Sequence, residues 1–561
     1  MTPDADTDRH AARPGPASRG LSLSWFSLLI GVIFFAASLT PSLIPRDFVL
    51  QGVLGGVVAA LGYGLGQFLM FVWRYMELPV AQGLTARVLH AGFGVMSVGI
   101  AIYFLQRAAE WQNSIRERVG MLPVDEAHPL YTALIAIAVF IPLLVAGWGV
   151  QLLMDTARRQ LQRFIPRRVA NVAGIALVAY GSWALVDGFV IQRFLAFADD
   201  VYGEASAMFV PGVARPDAPT RSGSAASLVA WTDMGRWGRA FVASGPSAAE
   251  IAEFTGRPAE APIRIYVGRN SAPTPAERTE LAFAEMLRTG AFDRQVLVIA
   301  MPVGSGWLDA GSHDPLEFMH GGDIATVAVQ YSYLVSWISL VFETDAGLEQ
   351  AATLFDRVYD HWKDLPEDAR PELYLHGISQ GALVSMASVD VLQMLGAPID
   401  GALWAGPPFA SDLWRQATLS RNHASPFHLP VVGDSSVVRF ANQRGIAAAD
   451  DTQWGPVRVL FLQYGSDPIV FFNPLAALRE PEWMTEPPAF DVSPQLRWVP
   501  FVTLFQLALD MAISQNIRRG YGHRYIAEDY IPAWLAVTRP LNWTEADTRR
   551  LMERFAGFDP G

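Results

Sequence analysis

Three side chains in one order dominate what this chain could do chemically. Leu373–Ser385 reads L-Y-L-H-G-I-S-Q-G-A-L-V-S, an apolar run followed by Gly377-Ile378-Ser379-Gln380-Gly381 and a helix-like stretch. G-x-S-x-G between a strand and a helix puts a serine hydroxyl on a tight turn, with glycines where close backbones leave no room for a Cβ. A serine becomes a strong nucleophile only when a base takes its proton and an acid orients that base. Downstream, V-L-F-L-Q-Y at Val459–Tyr464 runs into Gly465-Ser466-Asp467-Pro468. That places a carboxylate at the carboxyl end of a strand, where open α/β sheets carry their ligand groups. Asp434, in V-V-G-D-S-S, and Asp412 compete for the role, but neither follows so strong a strand. Of ten histidines only His523, in G-Y-G-H-R-Y, lies beyond Asp467. Ser379, Asp467 and His523 therefore predict acyl transfer through a serine nucleophile. Its oxyanion needs two main-chain donors. One is expected from Gln380, the residue after the serine, and the other from Gly268 or Arg269 in the loop Gly268–Ala272.

The elements that must position these groups alternate from Pro262 onward. Ile263–Gly268 reads as a strand, Pro275–Thr289 as an amphipathic helix, and Gln295–Met301 as a buried strand. Asp323–Phe342 and Leu348–Trp362 read as helices, which makes Glu372–His376 the third strand of the series and the one that feeds Ser379. Gly381–Met394 is expected as a helix, and Gly401–Ala405 and Val457–Tyr464 as further strands. Continuous apolar strands separated by helices imply a mostly parallel sheet with helices on both faces. Before Pro262 the chain is rich in Pro, Gly and Ser, with Gly238–Ser244 as a candidate first strand. His320 and Asp323 flank two glycines, and Asp323 reads as a helix cap. Tyr331, Tyr333 and Trp337 fit either core or a pocket wall.

The first third has a different composition. Of 561 residues, 51% are hydrophobic and only 17% charged, and the deficit in charge is concentrated there. Leu21–Ile44, Phe48–Trp73, Val88–Gln106, Pro129–Met154 and Val169–Val186 contain no Asp, Glu, Lys or Arg. Each is about the length and apolarity needed to cross a bilayer as a helix. With the N-terminus inside, the inner segments hold ten arginines (9, 13, 19, 74, 87, 158, 159, 163, 167 and 168) and the outer loops four (46, 107, 116 and 118). That asymmetry predicts five spans with the C-terminal two-thirds outside the cytoplasm. The absence of cysteine excludes disulfides and thiol catalysis. A formal charge of −12 speaks against a nucleic-acid partner. No metal-binding or nucleotide-binding motif stands out, so no cofactor is expected.

The chain also resembles the bacterial membrane-anchored α/β-hydrolases with a multi-span N-terminal domain. The likeness rests on S-L-T-P-S-L-I-P-R at Ser38–Arg46, Y-V-G-R-N-S-A at Tyr266–Ala272 and R-T-G-A-F-D-R at Arg288–Arg294. It continues through G-S-G-W at Gly304–Trp307, G-D-I-A-T-V-A-V-Q-Y-S-Y at Gly322–Tyr333 and S-W-I-S-L at Ser336–Leu340. The resemblance implies an α-helical transmembrane domain followed by an α/β-hydrolase-like domain with Ser379, Asp467 and His523 as triad. The expected layout is a disordered N-terminus (1–20), about five membrane helices (21–195), a linker with a first strand (196–262) and a catalytic domain (263–561). The expected activity is that of a membrane-bound serine esterase or lipase of the bacterial inner membrane, with its catalytic domain on the periplasmic side. Its partners would be the membrane and a lipid or acyl-ester substrate. A transacylase, or a transport or assembly protein with a hydrolase-like binding domain, are the alternatives.

Overall fold

The computed structural model describes residues 23–185, 193, 202–209, 212–334, 338–340, 343–389, 396–449 and 452–559. Its N-terminal part is helical: α1 (Trp25–Ser38), α2 (Phe48–Tyr75), α3 (Gly83–Arg118), α4 (Pro129–Leu161) and α5 (Arg167–Leu185). α2 is the hub, packed against α1 on one side and α4 on another. Small residues allow this close approach. A Cβ on Gly66 would lie 2.6 Å from Ser27 Cα, and one on Gly56 would lie 2.6 Å from Ala136 O. Such small-residue contacts let apolar helices pack by backbone proximity where no water is expelled. The outer faces of α3 and α4 expose Val95, Val98, Ile102, Leu152 and Leu153.

Among the described residues three helices, not five, are long and apolar enough to cross a membrane: α2, α3 and α4. The first charge-free segment, Leu21–Ile44, does not form one continuous helix. α1 has 14 residues, about 21 Å at 1.5 Å per residue, against the roughly 30 Å of a hydrocarbon core. Beyond Ser38 the chain turns at Leu39 and Thr40 and runs along the C-terminal domain, where Leu43 and Ile44 join the main hydrophobic core. In α5 the apolar stretch is shorter, Val172–Gly181. Residues 1–20, expected to be disordered, lie outside the described residues.

An eight-stranded sheet forms the centre of the C-terminal domain, in the order β1-β3-β2-β4-β5-β8-β6-β7. The strands are β1 (Ile263–Val267), β2 (Val296–Met301), β3 (Ile324–Val329), β4 (Glu372–Ile378), β5 (Gly401–Ala405), β6 (Val438–Asn442), β7 (Gly445–Ala447) and β8 (Arg458–Leu462). All pairings are parallel except β6 with β7. β4 lies in the interior of the sheet, with Met301 of β2 opposite Gly377 and Ala405 of β5 opposite Ile378.

Three expectations fail here. The segment expected as a helix over Asp323–Phe342 contains β3 instead. A strand buried on both faces, I-A-T-V-A-V, has no alternation to reveal it, and β-branched residues and length are the remaining signal. β4 is therefore the fourth strand, not the third. Gly238–Ser244 lies mostly in a helix, Gly235–Ala243. Its buried Gly235, Gly238, Arg239 and Val242 follow the i, i+3, i+4, i+7 spacing of a helix face. The first strand of the sheet is β1, and among the described residues the linker contributes only an isolated bridge, Arg221 to Arg264. The end of the expected helix Gly381–Met394 and residue Trp337 fall partly or wholly outside the described residues.

Candidate active site

β4 delivers Ser379 into a backbone conformation that few side chains adopt, φ 55° and ψ −129°. Such a conformation costs on the order of 1–3 kcal/mol and persists only where the surroundings enforce it. Here the glycines allow it: a Cβ on Gly377 would overlap the Gly381 carbonyl, and one on Gly381 would overlap Met301 O. Ser379 N–H donates to Ala405 O at 3.0 Å and pins the turn to β5. Gln380 opens the following helix, α6 (Gln380–Ala387). Its main-chain N–H is one of the first-turn donors that helix geometry leaves without an intrahelical acceptor.

β8 carries the chain to Asp467, which is fully buried. Its Oδ1 accepts Ile469 N–H at 2.9 Å, and its Oδ2 accepts from His523 Nδ1 at 2.7 Å and from Tyr525 OH at 2.8 Å. Burial, reinforced by the Asp467 charge, raises the Tyr525 phenol well above its ordinary pKa and keeps it a donor. The loops bearing acid and base are joined through Ser466. Its Oγ donates to Asp491 Oδ2 at 2.8 Å and accepts Gly522 N–H at 2.9 Å. His523 N–H donates to Ser514 O at 3.1 Å, just beyond helix α7 (Val502–Ala512). His523 Nε2 is buried and has no hydrogen-bond partner among the described residues. Ser379 and His523 line one cavity of about 720 Å³. The rival acids are elsewhere: Asp434 accepts from Ser436 in an exposed turn, and Asp412 pairs with Arg415 on an exposed helix.

A model of the alpha/beta-hydrolase family matches residues 263–551, and a model of that family's N-terminus matches residues 39–246. The chain belongs to the alpha/beta-hydrolase family. Hydrolysis is the general class of activity this membership supports. No curated protein and no solved structure matches the chain.

Within this hydrolase sheet the first strand in sequence is the outermost in space. β1 is separated from β4 by β3 and β2, so the structure does not bring Gly268 and Arg269 to the cavity that Ser379 lines. Arg269 N–H instead donates to Gln330 Oε1 at 3.2 Å. The loop beside Ser379 is the one that β2 feeds, and its Val303, Ser305 and Trp307 line the cavity. Gly304 lies against Gln380, where an added Cβ would stand 2.9 Å from Gln380 Oε1. Reading strand order in sequence as strand order in space caused the error, since each parallel crossover is free to skip positions. Sequence reasoning also missed Tyr525, whose only signal was its place two residues after His523. Asp309, another cavity residue, was missed too. Burial pushes its carboxyl up to about 7. Asp323 caps no helix; its Oδ1 accepts Gln295 N–H at 3.1 Å. Tyr331 is core and Tyr333 lines the cavity.

Proposed function

We propose that the protein is a membrane-bound serine hydrolase that cleaves carboxylic esters through an acyl-serine intermediate. Ser379 Oγ attacks the ester carbonyl while its proton passes to His523 Nε2. Asp467 holds the Nδ1–H tautomer, which leaves Nε2 as the base, and stabilises the imidazolium that forms. The oxyanion is met by Gln380 N–H and a main-chain N–H of the Pro302–Trp307 loop. The imidazolium then protonates the departing alcohol, and water activated by His523 releases the acid and restores Ser379. The observation that carries this reading is the pairing of His523 Nδ1 with a buried carboxylate. The opposite nitrogen of that ring has no partner among the described residues and lies in the cavity that Ser379 lines.

α2, α3 and α4 favour a membrane location. The turn after α1, the end of α3 and the C-terminal domain meet on one side: Leu43 N–H donates to Asp510, and Gly120 O accepts from Arg518. The ends of α2 and α4 that carry Arg74 and Arg158 with Arg159 point away from that contact, and the arginine asymmetry then supports an extracytoplasmic C-terminal domain. A reporter fused after Gly561 tests this, and cytoplasmic activity there refutes it. For the chemistry, Ser379→Ala is expected to abolish fluorophosphonate labelling and ester hydrolysis in folded protein. Stoichiometric labelling of that variant would place the nucleophile elsewhere.

A further inference from the structure

The protein carries a net charge of −12, yet the wall of its catalytic cavity is cationic. Arg236, Arg519 and Arg524 line it, opposed by two carboxylates, Asp309 and Asp559. Asp309 is engaged inward, accepting Gly311 N–H at 2.9 Å, and Arg236 Nε is buried with no hydrogen-bond partner among the described residues. Arg236 also stacks on Trp237, with 4.2 Å between its guanidinium and the ring centre. The other two arginines face the last described residue of the chain. Asp559 stands 4.0 Å from Arg519 Nε and 3.6 Å from Arg524 Nη2, longer than tight charge-assisted bonds, and its side chain is 55% exposed. Both guanidinium groups are held in place by main-chain oxygens: Arg519 Nη1 donates to Gly557 O at 2.9 Å, and Arg524 Nη1 to Ile517 O at 3.3 Å. The cations are therefore preorganised, Arg519 by the main chain of the same terminal segment, while the carboxylate that answers them has an exposed side chain.

We propose that the cavity takes an ester bearing an anionic group, which Arg519 and Arg524 bind in place of Asp559 while Arg236 adds to the attraction. Asp559 is a built-in stand-in for that group, and its side chain swings out when substrate enters while Gly557 O keeps its hold on Arg519. The assignment deepens the esterase reading and rests on it for the ester, but not for the anion. A phosphate monoester and a carboxylate share the chemistry required, since planar guanidinium forks match both.

The test is calorimetric titration of the full-length protein in a neutral detergent with hexyl phosphate, monohexyl succinate, inorganic phosphate and hexanol. One or both hexyl anions are expected to bind at least about tenfold more tightly than hexanol and than inorganic phosphate, and the tighter of the two identifies the headgroup. Arg519→Gln/Arg524→Gln is expected to weaken that anion on the order of 10- to 100-fold, the scale of losing hydrogen bonds to a charged group. Asp559→Asn, a change at an exposed side chain, should tighten it several-fold, which keeps the test sound if the double variant does not fold. Equal affinity for hexyl anions and hexanol overturns the proposal, as does inorganic phosphate binding as tightly as hexyl phosphate. An unchanged affinity in the Asp559→Asn variant removes the stand-in role. A kinetic arm compares mono-p-nitrophenyl glutarate with p-nitrophenyl butyrate. Ser379-dependent hydrolysis of both without preference for the anion refutes this assignment alone. Arginine-dependent binding without Ser379-dependent turnover refutes the esterase reading alone.

Discussion

Replacing Asp467 by Asn changes one atom, and the surroundings dictate how the amide must sit. Ile469 N–H points at Oδ1 from 2.9 Å, so the carbonyl oxygen of the amide belongs there. The NH₂ group then faces His523 Nδ1 and Tyr525 OH, which lie 2.7 and 2.8 Å from the present Oδ2. An NH₂ facing Nδ1 requires that nitrogen to accept, which moves the imidazole proton to Nε2, where a base is needed. The opposite flip would set NH₂ against Ile469 N–H in a site with no solvent. Leaving a buried donor unpaired costs about 1–3 kcal/mol, so that flip is disfavoured roughly 5- to 150-fold. Loss of the anion that stabilises the imidazolium adds to this, and the combined fall in kcat should be on the order of 10⁴, as in the serine-protease template. The fold should survive, because the amide retains the Ile469 cap. Single-turnover hydrolysis of a p-nitrophenyl ester measures the effect, with Asp434→Asn as the control that keeps wild-type rates. A fall of less than tenfold for Asp467→Asn, or a collapse in the Asp434 variant, would refute the reasoning.

The remaining expectations concern stability. Arg46→Met leaves Asp510 buried without its cation, 4.0 Å away in the wild type, and should destabilise the protein by about 3–5 kcal/mol. Arg46→Met/Asp510→Leu should recover only part of this, since Leu43 N–H loses its acceptor, and thermal unfolding of the three variants in detergent measures the cycle. Asp309, raised to about 7 by burial, contributes stability that is present below its unfolded pKa of about 4 and is lost as pH rises through about 7. The melting temperature of Asp309→Asn should therefore gain on the wild type from about pH 5 to about pH 8, and a constant difference would contradict the shift.

What could be read from the sequence divides along a physical line. The helix Pro275–Thr289 has the bounds expected of it, because its ends are written locally. Thr274 and Glu277 form a capping box, Pro275 occupies the first turn, and Gly290 at φ 71° terminates the helix. The elbow glycines are legible for the same reason, since the steric demand falls on neighbours in the chain. β3 was not legible, because full burial erases periodicity. Nor was the donor loop beside Ser379. Whether β1 or β2 stands next to β4 depends on which crossovers skip a position, and no residue of either strand encodes that alone. Asp467 and His523, 56 positions apart, could be singled out only because the order of roles left a single histidine downstream.

Ser38–Arg46 shows how a sequence signature can be visible while its reason is not. The segment is charge-free up to Ile44 and reads as the end of a membrane span, yet it makes a buried, hydrogen-bonded contact between the two halves of the molecule. Asp510 Oδ2 accepts Leu43 N–H at 2.9 Å, and Gln506 Nε2 donates to Thr40 O at 3.1 Å, both from α7. Arg46 N–H donates to Gln112 Oε1 at 2.8 Å, which ties the same segment to α3. Ile44 reaches the base of the His523 loop, where a Cβ on Gly522 would lie 3.1 Å from Ile44 Cδ1 and 2.9 Å from Ser514 O. The residues that follow α7 line the cavity that Ser379 lines and hold His523 N–H. The helical half is therefore not a detachable anchor: through Pro41–Arg46 it forms part of the wall against which the histidine loop is packed. The two prolines in that segment, Pro41 and Pro45, keep it from joining α1 and α2 into longer helices. A non-helical segment presents free main-chain N–H groups at Leu43 and Ile44, and the buried carboxylate of Asp510 accepts them.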